Sequence, residues 1–207
     1  MNKKLILIIA RLLFGSLTLI AIVTQAIYLQ QNGVLNPFNY LGYFTNLSNI
    51  VAGVILVISA LYLMRRRKPS VKDDLIRGAA TLYMTITGLI YVTLLSGEDL
   101  GLLMPWVNIV THIILPLYVL VDWMYQPPLS RLRVKQIAVW LVWPIVYVTY
   151  TLIRGSITGW YPYPFLNPDK VEGYGGVFIY CIAILAVSML LGWLLVKLSN
   201  VFKRQVS

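Results

Sequence analysis

A chain of 207 residues that is 59% hydrophobic and only 12% charged, with a mean hydropathy of +0.77, excludes an ordinary soluble domain and reads as an integral membrane protein. Its formal net charge of +10 invites a nucleic-acid reading, but the cations cluster between apolar runs, where they act as topology signals and meet anionic lipid headgroups. The one cysteine, Cys181, can form no internal disulfide, and packing is its default role.

A bilayer core of about 30 Å takes roughly 20 apolar residues per helix, and six runs supply them: 5–31, 40–64, 75–96, 104–125, 136–154 and 175–199. The start, MNKKLILIIARLLFG, imitates a signal peptide. Its apolar run continues past signal length with no small-residue cleavage site, so it is expected to stay as the first span. The fifth run, IAVWLVWPIVYVTYTLI, is interrupted by Trp143-Pro144 and closely followed by Arg154, yet is long enough to cross. All but Arg154 and Lys170 of the 17 Lys and Arg residues then fall on one side, which the positive-inside rule makes cytoplasmic, together with both termini. The expected fold is all-α: an integral membrane bundle of six transmembrane helices forming one domain over 1–207, in a plasma membrane. The segment GSITGWYPYPFLNPDKVEGYGG, rich in Gly, Pro and aromatic residues, lies outside and reads either as a lid or as an aromatic interfacial belt.

In lipid, small and polar side chains at helical spacing should face protein. On the second span Thr45, Ser48, Asn49, Ala52 and Gly53 form one stripe. The third offers Thr81, Thr85 and Gly88, with Thr87 and Tyr91 on an adjacent face; the fifth offers Tyr147, Tyr150, Thr151 and Arg154. The fourth carries the only histidine, His112, one turn after Asn108 and four residues before Pro116. A proline has no N–H, so the His112 carbonyl loses its usual partner and the helix should bend.

Thr45 lies roughly 8 Å and His112 roughly 12 Å below the outer starts of their expected helices, at 1.5 Å per residue. A hydroxyl and an imidazole at similar depth on inward faces make a candidate nucleophile and base. A hydrogen-bonded structural histidine is the competing reading.

YFTNLSN early in the second span and WVNIVTHIILPL in the fourth resemble the androgen-induced, ADTRP-like family of polytopic membrane proteins. YMTITGLIYVTLL, DWMYQPP, WPIVYVTYTLIRG and WYPYPFLNP further resemble a bacterial branch. The family hydrolyses fatty acid esters of hydroxy fatty acids with an intramembrane threonine and histidine, and the resemblance places these on Thr45 and His112.

The remaining parts of such a site are open in the sequence. Asp122, ten residues beyond His112, is too far along the helix to complete a triad and is expected to pair with Arg131 or Arg133 or to cap the loop. Asn108, Tyr91, Tyr147 or a water are candidates to orient the imidazole. Asn49 and Asn108 are candidate oxyanion donors or helix-joining amides. Arg154 either holds a substrate carboxylate or snorkels to headgroups. One histidine without neighbouring thiols or intramembrane carboxylates does not make a catalytic zinc site, and neither haem ligation nor a nucleotide motif is present, so no metal or cofactor is expected. The leading expectation is an intramembrane hydrolase of lipid-like esters, its partners being membrane lipids or such an ester, and no nucleic acid. The alternatives are a non-enzymatic lipid-binding or transport protein and a structural subunit of another membrane protein.

Overall fold

The computed structural model describes residues 3–98, 101–129 and 132–206, the last five as backbone. Every regular element among them is helical, and six helices are long and apolar enough to cross a membrane. These are α1 (Lys3–Gln31), α2 (Phe44–Met64), α3 (Val71–Leu95), α4 (Pro105–Tyr125), α5 (Lys135–Thr158) and α6 (Gly173–Val206). All six expected spans are present. The fifth runs past Arg154 to Thr158, where Gly159, at φ +70°, takes the left-handed conformation and donates its N–H to the Gly155 carbonyl.

Successive helices alternate in direction, so the bundle has two ends. The basic end carries the RRRKP connection, where Ser70 and Asp73 form a reciprocal capping box at the start of α3. The opposite, loop end carries the connections 32–43, 96–104 and 159–172.

The stripe expected on α2 is buried throughout: Thr45, Ser48, Asn49, Ala52 and Gly53 all lie inside. Its small residues allow close approach to α1, since a methyl group on Gly15 would sit 2.9 Å from the Gly53 carbonyl oxygen. On α5 the expected stripe is narrower. Tyr147 and Thr151 are buried, but Tyr150 is 54% exposed and points away from the bundle. A position three residues on lies 60° off the axis of its stripe, and α5 presents too little surface to its neighbours to cover it.

At Pro116 the helix departs from regular α-geometry, as the missing N–H leads one to expect. The lost hydrogen bond is absorbed by a π-helical turn over Val110–Ile114, closed by Leu115 N–H donating to the Val110 carbonyl. The end of α3, Tyr91–Leu95, is π-helical as well.

Asp122 corrects the sequence expectation. Its carboxylate takes Arg11 Nε at 2.6 Å and a second guanidinium N–H at 2.9 Å, both side chains being buried. Arg133 is not its partner, and Arg131 lies outside the described residues, as do the side chains of Lys203 and Arg204. Burial explains the choice: a carboxylate facing the bundle interior needs a cation delivered from another inward face, and α1 supplies one with the bidentate geometry of guanidinium.

The aromatic segment 159–172 turns partly inward. Tyr163, Phe165 and Leu166 are buried, with the Tyr163 and Phe165 rings stacked at 5.1 Å.

Candidate functional site

Helix α2 begins at Phe44 with no side-chain cap from its N-cap residue, Tyr43. Its first N–H groups are instead satisfied from afar: Phe44 N–H donates to the Tyr147 hydroxyl at 3.1 Å and Thr45 N–H to the Tyr163 hydroxyl at 3.2 Å. Tyr147 in turn donates to the Gly42 carbonyl at 2.8 Å. The Tyr163 hydroxyl also lies 3.3 Å from Thr45 Oγ1. Thr45 is thus held at the positive end of a helix dipole, beside a phenol that can donate a proton to nearby charge.

Tyr163 is pinned by its neighbours in sequence. It stands between Pro162 and Pro164, in extended conformation at φ −136°, ψ 143°, and a residue before proline is held to that region. The two prolines fix the backbone so that the ring enters the bundle.

His112 is oriented on three sides. Its Nδ1 is 3.1 Å from the Asn108 carbonyl oxygen and 3.1 Å from Thr111 Oγ1. A carbonyl only accepts, so Nδ1 carries the hydrogen and a neutral ring keeps its lone pair on Nε2. Thr111 Oγ1 spends its own proton on the Val107 carbonyl at 2.8 Å, which leaves it an acceptor toward the ring. Tyr91 stacks on the imidazole with centroids 4.3 Å apart and 23° between planes, while its hydroxyl accepts from Asn108 Nδ2 at 2.8 Å.

Thr45 and His112 both line a cavity of about 430 Å³ at the loop end of the bundle, with Gln25, Tyr40, Asn46 and Glu98 among its other walls. A volume of this size suits a small organic ligand. The two residues share no direct hydrogen bond among those of the described residues, so a molecule in the cavity would have to bridge them. Asn49 keeps their segments together, its side-chain amide donating to the Thr45 carbonyl at 2.8 Å and the Thr111 carbonyl at 3.2 Å.

Other sequence candidates fall elsewhere. Asn49 has committed both amide hydrogens to those carbonyls and does not line the cavity. Asn108 and Tyr91 act behind His112, and Tyr147 behind Phe44. Arg154 donates to Asn39 Oδ1 at 2.6 Å and lies 4.6 Å from the Trp160 ring centre, away from the cavity walls. Sequence reasoning missed Tyr163 as a partner of Thr45; the Pro-Tyr-Pro triplet was the available signal. It also missed Gln25, which is buried and bridges two backbone groups of the 101–104 connection, donating to the Leu102 carbonyl at 2.9 Å and accepting from Met104 N–H at 3.0 Å.

These observations define an integral membrane protein of six apolar helices with a cavity of mixed polar and apolar walls beneath one end. The family described as FAR-17a/AIG1-like protein matches residues 81–197, more than half of the chain, and the chain belongs to that family, the androgen-induced group that its motifs resemble. Comparisons with curated proteins and with solved structures gave no match. The matched segment includes His112, Tyr147 and Tyr163 and begins after Thr45.

Proposed function

We propose that the chain is an intramembrane hydrolase of lipid-like carboxylic esters, with Thr45 as nucleophile and His112 as general base. The observation that carries this reading is that the Thr45 hydroxyl and an imidazole with its acceptor nitrogen free line one cavity. In the first step Thr45 Oγ1 attacks the ester carbonyl and gives its proton to His112 Nε2. The tetrahedral oxyanion is met by the Tyr163 hydroxyl and the positive end of α2. Collapse expels the alcohol, which takes the proton back from His112. Water, deprotonated by the same nitrogen, then releases the acid and restores Thr45.

A second reading of the chemistry is favoured by the missing Thr45–His112 hydrogen bond: His112 activates a water that attacks directly, and Thr45 only binds the carbonyl. The positive-inside rule puts the basic end and both termini in the cytoplasm, hence the cavity in the outer half of the membrane. The bacterial plasma membrane, expected from the resemblance, is the proposed location, and membrane lipids or a lipid-like ester are the proposed partners.

The test is turnover of a panel of lipid esters by purified protein in detergent. Thr45→Ala and His112→Ala should each abolish it while the fold persists, and a carbonyl-directed covalent probe should label Thr45. Activity surviving in Thr45→Ala transfers attack to water. Activity surviving in His112→Ala, or a wild-type protein that hydrolyses no ester, removes the hydrolase reading and leaves lipid binding or transport.

A further inference from the structure

A second space reaches Thr45. A narrow slot of about 70 Å³ shares Thr45, Leu95 and Tyr163 with the vestibule just described, then continues between α3, α5 and α6 to Pro144, Ile184 and Ser188. Along α6 it extends from Cys181 to Ser188, seven residues or roughly 10 Å. Its character changes with depth. At the mouth stand Thr45 and the Tyr163 hydroxyl; beyond them the walls are mostly aliphatic and aromatic carbon. The Tyr147 hydroxyl on this wall is spent on Gly42 and Phe44, and Ser188 Oγ donates to its own helix at the Ile184 carbonyl, 2.6 Å away. Thr87 Oγ1 is the buried hydroxyl in the wall without a hydrogen-bond partner. The vestibule on the other side of Thr45 is wider and carries Gln25, Tyr40, Asn46 and Glu98.

A hydroxyl nucleophile at the junction of a narrow apolar slot and a broader chamber with more polar side chains in its walls sorts the two halves of an ester. We infer that the slot receives the acyl chain of the substrate, methyl end toward Ser188, while the alcohol portion occupies the vestibule. The inference rests on the ester-hydrolase reading and adds to it the orientation and a limit on the acid half: an unbranched chain of medium length, matched to the slot. Only a chain without bulky substituents threads a space this narrow, and burial of each methylene in it is favourable relative to water. From the attacked carbonyl the alcohol then leaves into the chamber that can solvate it.

Two measurements on the full-length protein test this. In the first, kcat/KM is followed over p-nitrophenyl esters from acetate to octanoate in the wild type and in Ile184→Trp, which fills the slot midway. The octanoate value should fall at least tenfold while the acetate value stays within twofold. In the second, a non-hydrolysable ether of the octanoyl skeleton, with a diazirine at the end of its chain, is photolysed on the wild type. Label should appear on α6 between Cys181 and Ser188 or on α5 near Pro144. Equal losses for short and long esters, or label on Gln25 and Leu103 in the vestibule, overturns the assignment even if esters are turned over. Label in the slot of a protein that hydrolyses no ester upholds the chain site and removes the hydrolase reading alone.

Discussion

The hydroxyl of Tyr163 accepts the backbone N–H of Thr45 and lies 3.3 Å from its side-chain oxygen, so a residue of the 159–172 connection completes the first turn of α2. The link spans 118 residues of sequence and joins the capping of a helix to the chemistry at its start. Tyr163→Phe removes the hydroxyl and keeps the ring. It should lower kcat on lipid esters by about 10²-fold with little change in KM, as expected for one oxyanion donor. An unchanged kcat would limit Tyr163 to capping.

The same phenol predicts a pH effect on stability. Burial pushes its pKa up to about 12 from 10.0, with the hydrogen bonds from Thr45 partly opposing. The folded state therefore holds the proton at pH values where the unfolded chain has lost it. This contribution is complete below pH 10 and is lost as pH rises toward 12, amounting to roughly 3 kcal/mol at most. Thermal unfolding in detergent between pH 9 and 12 should show the wild type losing stability more steeply than Tyr163→Phe; parallel curves would sink the assignment.

Gly88 packs where α4 is deformed. A methyl group there would lie 2.9 Å from Pro116 Cβ and 3.3 Å from the His112 carbonyl oxygen. Gly88→Ala should force α3 away from the π-helical turn at a cost of about 1–3 kcal/mol and lower ester turnover through His112. A variant with full activity and unchanged melting temperature would show that the turn tolerates the displacement.

The buried Arg11–Asp122 pair should behave asymmetrically. Asp122→Asn strands a buried guanidinium and should cost about 3–5 kcal/mol, whereas Arg11→Gln should cost less, because Arg77 remains as a second cation near the carboxylate. The double variant Arg11→Gln with Asp122→Asn, which buries no charge at this pair, should be more stable than either single one. Thermal melts of the four proteins give the cycle, and a double variant as unstable as the summed singles would contradict the account.

Glu98 supplies negative charge to the vestibule wall, while no Lys or Arg lines it among the described residues. Because this carboxylate is exposed, its influence is modest and screened by salt. Glu98→Gln should raise kcat/KM for esters bearing a free carboxylate on the alcohol half by about two- to fivefold at low ionic strength, leaving neutral esters unaffected. The gain should vanish at 1 M salt.

Spans and inward faces were largely legible in the sequence, because length, hydropathy and the spacing of small and polar residues are local properties. The stripe from Thr45 to Gly53 and the lost partner of the His112 carbonyl belong to this class. What escaped depends on which distant faces meet. Asp122 finds Arg11 at a separation of 111 residues, and Tyr163 finds Thr45 only after a connecting segment folds back into the bundle. Tyr150 shows the limit of periodicity itself: spacing proposes an inward face, but how much of it is covered depends on the neighbours. The orientation of His112 was half visible. Asn108 and Tyr91 were candidates, whereas the acceptor turned out to be the Asn108 backbone carbonyl, whose direction follows from the π-helical turn.

The Arg11–Asp122 pair also sets an order on biogenesis. A ribosome delivers α1 to the translocon long before the acid that neutralises its guanidinium has been polymerised. Arg11 lies eight residues into the 29 of α1, short of the depth at which an inserted arginine is unfavourable by about 2.5–3.5 kcal/mol, and the rest of the span is apolar enough to hold it in the membrane. The guanidinium nonetheless enters before its acid exists. Arrival of α4 gives it the buried partner that fixes α1 against the bundle.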